Sequence, residues 1–362
     1  MTRRIDQWVP ALHRGDAIGD STILMREALR AWGYVSDIYT FNQDQGLSAV
    51  PFDQWREGAA TDVVIFHYPM ASPMDSWFAK LSCRRVLQYH NITPPHFFQA
   101  WDHEIYRILH QGREALRDLA PIAHLALGDS EYNRAELTDM GFGATSVLPI
   151  AIDFERYKAT GNAALKKRYA DGRINLLFVG RIAPNKRHDL LLKVLAYYKK
   201  KISPAVRLLA VGKLPRRETG VGAPIQGHYL DTLIRLYSDL GLEPADVIFT
   251  DGVTHDEMLG YYESAHVFIS MSEHEGFGVP LVEAMLKRVP ILAWRGTAVG
   301  ETLGEAGLQF DYPDIAAFAE GAALLAKAGP TRETILEGQD RRVRDFATET
   351  TLARLRAIVE GI

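Results

Sequence analysis

The stretch E-G-F-G-V-P-L-V-E, Glu275 to Glu283, follows a short apolar run at 266–271 (H-V-F-I-S-M) and opens a helical pattern. Pro280 stands in the first turn of that helix, where its missing N–H costs nothing. The order is therefore strand, glycine loop, helix. Gly276 and Gly278 let the backbone come close to a ligand, and the helix start offers unpaired N–H groups and a positive dipole end that suit phosphate. Glu275 falls in the loop and Glu283 one turn into the helix, so two carboxylates can face one ligand at different points, and ionised acceptors bind hydroxyls strongly. A purely structural reading of the same residues makes Glu283 a first-turn acid that suits the dipole and leaves the glycines as turn formers.

A second stretch of the same kind lies upstream. F-V-G-R-I-A-P-N-K-R-H, Phe178 to His188, reads as a strand ending in a glycine, with Arg181 and Lys186 at the start of another helix. Cations there oppose the helix dipole, so their placement calls for an anion; Arg grips phosphate oxygens in pairs and Lys adds a point charge.

Together the two stretches resemble the retaining glycosyltransferases of family 4, in the pattern G-R-x-x-x-x-K for Arg181 and Lys186 and E-x7-E for Glu275 and Glu283. Ser272, Ala284-Met285 and Pro290 are similar to the family as well. The resemblance is strong over the last half of the chain and weak over the first. It implies an α/β chain of the GT-B fold, two doubly wound Rossmann-like domains facing across a cleft.

Elsewhere the sequence agrees with that architecture. At 362 residues it suits two domains, and 47% apolar with 24% charged residues is the composition of a globular protein. A net charge of −4 gives no electrostatic footprint for nucleic acid. One cysteine, Cys83, excludes an intramolecular disulfide and fits a reducing compartment. With no apolar run of membrane-spanning length, the expected location is cytoplasmic, with peripheral membrane contact at most.

Strands are predicted at 8–12, 34–41, 62–68, 85–89, 124–127 and 145–150, and again at 175–179, 206–211, 247–250, 266–270, 290–294 and 308–311. Helical patterns fall between most of them, including 21–32 and 103–119, which argues for parallel sheets covered on both faces. The expected domains are 1–152, on the acceptor side, and 153–345, which takes the donor. The resemblance implies that the last helix, about 346–362, joins the first domain.

Ligands of open α/β sheets sit beyond the carboxyl ends of the strands, and several further candidates fall there. Gly15 and Gly19 follow the first strand, with Asp20 or Ser21 as the expected N-cap. The loop resembles the family's first glycine loop, near the donor diphosphate and the acceptor, though it lacks the commoner double-glycine form. His90, after the fourth strand, matches a histidine that related enzymes direct at the donor sugar; His67 is a weaker candidate, and both also read as hydrogen-bonded strand-end histidines. The aromatic stretch H-F-F-Q-A-W at 96–101 suits a lid, an acceptor surface or core. By resemblance, Val253 reads the nucleobase through its backbone.

What the resemblance implies is transfer of a sugar from a UDP- or GDP-linked donor to a glycan or lipid-linked glycan, with retention. Arg181, Lys186, Gly276, Phe277, Gly278 and Val279 would serve the donor and its departing diphosphate. Glu283 would hold the ribose, and Glu275 and His90 the sugar. The departing phosphate would take the acceptor's proton, and neither metal nor cofactor is expected. The alternatives are an inverting transferase with His13 as base, an epimerase or phosphorylase on a similar fold, and a non-catalytic nucleotide-sugar-binding protein.

Overall fold

A computed structural model describes residues 3–214 and 227–362 of the chain. It divides into two compact units, one of Met1–Pro94, Ile108–Phe154 and Asp345–Ile362, the other of Pro95–Arg107 and Glu155–Arg344.

In the first unit the strands are β1 (Ile5–Trp8), β2 (Ala11–Leu12), β3 (Ile38–Thr40), β4 (Asn42–Gln43), β5 (Val50–Pro51), β6 (Val63–Tyr68), β7 (Arg84–Tyr89), β8 (Leu125–Gly128) and β9 (Thr145–Val147). Seven of them form a sheet in the order β5-β3-β1-β6-β7-β8-β9, while β2 pairs with β4 apart from it. Every pairing is parallel; β6 and β7, for example, align Val63 with Arg84 through Tyr68 with Tyr89. The helix Thr348–Gly361 seals one face of this sheet, its Leu355 and Val359 fully buried with Ile5, Met25 and Leu29.

The second unit continues with β10 (Ile174–Val179), β11 (Val206–Val211), β12 (Val247–Phe249), β13 (Val267–Ser270), β14 (Ile291–Trp294) and β15 (Leu308–Phe310), in the order β12-β11-β10-β13-β14-β15, again all parallel. A buried parallel strand is apolar on both faces, and alternate residues serve different cores. Leu176 and Phe178 join one cluster with Leu208 and Ala210; Leu177 and Val179 join the opposite one with Leu209 and Val211.

Both sheets are doubly wound, and in each the chain runs out to one edge and returns beside its first strand. The reversal falls between β1 and β6 in the first sheet and between β10 and β13 in the second. Ligands of such sheets gather at that switch point. The loops leaving β10 and β13 carry Arg181, Lys186 and Glu275.

Two local expectations are corrected. The first sheet strand is Ile5–Trp8, not 8–12, because Asp6 and Gln7 are buried polar residues whose side chains are satisfied inside the fold. Asp6 accepts from the Trp55 indole at 3.1 Å, and Gln7 donates to the Thr22 carbonyl at 3.1 Å. The next helix begins at Ala17 rather than 21, with Asp16 as N-cap accepting from the Gly19 N–H. Gly19 therefore lies inside the helix, where its lack of a side chain matters: a Cβ would sit 2.2 Å from the His13 carbonyl oxygen.

Candidate active site

The loop after β10 holds a single turn, Pro184–Lys186, and then the helix His188–Lys201. The loop after β13 leads through Glu275 and Gly278 into the helix Val279–Leu286. The two loops are laced together. Glu273 donates its backbone N–H to the Asn185 carbonyl at 2.9 Å, and the buried Asn185 amide donates to the His274 carbonyl at 3.2 Å. Arg187 spans Asp189 and Glu273, donating to Glu273 at 2.7 Å. At the centre, Lys186 Nζ stands 2.6 Å from Glu275 Oε2, with both side chains less than one-fifth exposed. The site thus joins a cation and a carboxylate from the two motifs.

Glu275 is fixed from its other side by Thr297, whose hydroxyl accepts from the Glu275 N–H at 2.8 Å and donates to its carbonyl at 2.9 Å. Thr302 donates to the Phe277 carbonyl at 2.6 Å. Gly278 has φ of 91°, a left-handed conformation that side chains resist, and a Cβ there would meet Leu281 at 2.9 Å. No side chain caps the helix that follows. Pro280 has no N–H and Leu281 donates to the Gly278 carbonyl at 2.9 Å, so the Val279 N–H and the positive end of the helix dipole are what this start offers an anion. Arg181 is exposed and, among the described residues, forms no hydrogen bond or ion pair. Such a guanidinium is charge without a counter-charge among the described residues.

Glu283 is buried. Its two oxygens accept from Tyr157 Oη at 2.5 Å and Tyr262 Oη at 2.7 Å. Burial pushes its carboxyl above the usual range, against the two hydroxyls, which favour the charged form. Each carboxylate oxygen keeps a second lone pair, so the bracing leaves acceptor capacity for a hydroxyl. Val253, beyond the carboxyl end of β12, is half-buried against the core cluster that includes Val211 and Leu281.

In the first unit, His90 belongs to a buried relay. Gln7 donates its amide to the Thr22 carbonyl, so Gln7 Oε1 accepts from His67 Nε2 at 3.0 Å. Burial holds the His67 ring well below its usual pKa, so it is neutral and its Nδ1 accepts from His90 Nε2 at 3.0 Å. His90 Nδ1 faces Asp129 at 2.9 Å, and its side chain is 1% exposed. Both ring nitrogens of His90 are thereby engaged within the unit. Gly15 adopts φ of 72° at an exposed turn with nothing near its missing Cβ. His13 pairs with Asp44 at 2.8 Å, the two side chains being nearly half exposed.

Residues 164–340 match the family model described as glycosyl transferases group 1. Over that stretch the chain is similar to the group 1 glycosyltransferases. It is 28% identical over 277 residues to a GDP-mannose-dependent alpha-(1-6)-phosphatidylinositol monomannoside mannosyltransferase of Mycolicibacterium smegmatis, covering 72% of this chain and 68% of that one. It is 31% identical over 221 residues to a D-inositol 3-phosphate glycosyltransferase of Geodermatophilus obscurus, covering 58% of this chain and 46% of the relative.

Among solved structures it resembles sucrose-phosphate synthase from Thermosynechococcus elongatus, with a TM-score of 0.74 at 18% identity, over 99% of this chain and 98% of that one. It also resembles HepE of Anabaena in complex with UDP and glucose, with a TM-score of 0.72 at 15% identity, over 99% and 100%. At such identities the likeness establishes the fold, which is GT-B.

Motif spacing located Arg181, Lys186, Glu275 and Glu283 in this chain but not their contacts. Asn185, Arg187 and Glu273 sit inside or beside the motifs and were readable only as neighbours. Tyr157 lies 126 residues from Glu283 and carries no signal in sequence. Among the described residues no group of three or more His, Cys, Asp or Glu is placed to hold a metal ion. No described helix is long and apolar enough to cross a membrane.

Proposed function

We propose that this chain moves a sugar from a nucleoside-diphosphate donor to an acceptor hydroxyl with retention at the anomeric carbon. The observation that carries the reading is the Lys186–Glu275 pair at a sheet switch point, on the two loops that also carry Arg181, unpaired among the described residues, and the helix start after Gly278. The transition state is cationic at the sugar and anionic at the leaving phosphate, so preorganised positive charge at the diphosphate is the largest contribution a protein can make. Arg181, Lys186 and the helix start after Gly278 supply it. Glu283 accepts from the ribose, Glu275 orients the sugar, and Phe277, Val279 and Val253 complete the donor surface.

In this reading the leaving phosphate takes the acceptor's proton, and side-chain cations do the work a metal does elsewhere. The relative named for GDP-mannose favours that donor, and its name favours a glycolipid acceptor reached peripherally at a membrane surface.

The test is a thermal-shift screen against GDP, UDP, ADP and TDP and their sugar conjugates, with and without EDTA, followed by turnover assays. One base should raise the melting temperature regardless of EDTA, and Lys186→Ala should abolish the shift. Lys186→Ala and Glu275→Ala should each lower turnover by about 10²–10³-fold without unfolding the protein. Near-normal activity in both variants would refute the assignment.

One observation favours a second reading. His13 is oriented by Asp44, the base-and-orienter pairing of general-base catalysis, which suits an inverting enzyme; an inverted product lost in His13→Ala would establish it.

A further inference from the structure

The second unit contains a cavity of about 690 Å³ that none of the proposed donor residues lines. It lies among the segment Pro95–Arg107 and the helices His188–Lys201 and Gly227–Asp239. Its size is that of a small-molecule site. Phe97, Trp101 and Tyr229 give it aromatic walls, and the Trp101 and Tyr229 rings meet nearly edge to face, 5.1 Å between centres. Trp101 and Phe97 keep part of their surface exposed.

The polar lining is balanced in charge. Arg187, Lys193 and Arg235 stand against Asp189, Asp239 and Glu273. Arg187 is already committed to Asp189 and Glu273 by charge-assisted hydrogen bonds. What remains is Lys193 and Asp239, neither paired among the described residues, and Arg235, whose Nε reaches only the Asp231 carbonyl at 3.3 Å. The cavity therefore offers ionised donors and an ionised acceptor around flat apolar faces, without the net positive field that an anion requires. A neutral polyhydroxylated ring matches this chemistry, because its C–H face covers an aromatic surface while its hydroxyls bond to the charged groups.

The cavity also adjoins the reacting centre along the chain. Arg187 follows Lys186 directly, and Glu273 precedes Glu275 by two residues, so the Arg187–Glu273 bond is at once a cavity wall and the tie between the two motif loops.

We propose that this cavity is a glycan subsite that holds a pyranose unit of the acceptor, with Trp101 as its platform and Lys193, Arg235 and Asp239 reading its hydroxyls. The proposal rests on the transferase reading above and adds where the acceptor lies.

It is tested on the full chain by saturation-transfer NMR with α-1,6-mannotriose and with maltotriose, in the presence of GDP or whichever nucleotide shifts the melting temperature. The carbon-bound protons of at least one sugar should receive saturation. That transfer should fall at least about five-fold in Trp101→Ala and separately in Asp239→Asn, the latter covering the case in which loss of the tryptophan disturbs packing. The nucleotide shift should persist in both variants. No transfer to either sugar, or transfer that survives both substitutions, overturns the subsite. Loss of the nucleotide shift in the unmodified protein refutes the donor reading instead, so the two failures are distinguishable.

Discussion

Glu283→Gln separates the bracing role of this buried carboxylate from a role at the donor. In the folded protein the Glu283 oxygens accept from Tyr157 and Tyr262. Hydrogen bonds to a charged group contribute about 1.5–3 kcal/mol each, and neutral ones about 1. Glutamine keeps one carbonyl acceptor and presents an NH₂ to the other tyrosine, whose hydroxyl can turn and accept. The change therefore loses roughly 1–4 kcal/mol of hydrogen bonding by that difference. Against this, the carboxylate no longer has to remain charged in a buried place, and its raised pKa shows that desolvation outweighs the two hydroxyls. The net change in stability should be within about 1 kcal/mol.

Glu283→Ala is different, because two buried hydroxyls lose their acceptor and a void opens; about 3–5 kcal/mol should be lost. If Glu283 also accepts from the ribose, the neutral glutamine weakens nucleoside diphosphate binding by about 10- to 100-fold, the worth of one charge-assisted bond. Urea unfolding and titration calorimetry with the shifting nucleotide measure the two quantities. A glutamine variant that binds nucleotide normally but loses more than about 3 kcal/mol of stability would refute the argument. Glu283 would then be a brace alone.

Two further outcomes follow from local geometry. Burial alone would raise the Glu263 carboxyl, but bonds from Lys166, Lys287 and the Gly161 N–H overcome it and hold it at about 2. A depressed acid stabilises the fold above its ordinary value of 4.5 and loses that contribution as pH falls toward 2. Glu263→Gln should cost about 2 kcal/mol at pH 7, after allowance for solvent screening of the partly exposed lysines, and the gap in urea unfolding should narrow below pH 4.5; a gap constant down to pH 3 would show that charge is not the cause. Arg187 adopts φ of 52°, a left-handed conformation costly for a side-chain residue. Arg187→Ala and Arg187→Gly lose the same bonds, yet only glycine relieves the backbone, so the glycine variant should be more stable by about 1 kcal/mol in thermal unfolding; equal stabilities would mean the turn is unstrained.

Strands buried on both faces were the easiest elements to read, since a continuous apolar run needs no periodicity. Val206–Val211 was predicted with the bounds observed. The first strand was misplaced because I-D-Q-W carries two polar residues whose partners, Trp55 and Thr22, are remote in sequence. The short edge strand Val50–Pro51 went unread, as two residues ending in proline have no pattern. Motif spacing located Lys186 and Glu275 because each belongs to a strand–loop–helix unit of fixed length. Their ion pair joins two such units, and only the sheet order that places β10 beside β13 brings them together. Likewise the residues around 96–101 read only as aromatic. They meet the second unit through Trp101 against Tyr229 and Phe97 against His274, partners more than a hundred residues away.

The helix that seals the first sheet has a consequence for biosynthesis. Leu355 and Val359 complete a core whose other members, from Ile5 to Leu148, emerge first. Domains form as units during translation at about 5–20 residues per second. The first unit must therefore wait roughly 10–40 s, incomplete on that face, while the ribosome delivers the intervening residues. The second unit, whose residues end at Arg344, is fully supplied before the first is. The face of the first sheet is thus closed by residues synthesised after those of the second unit.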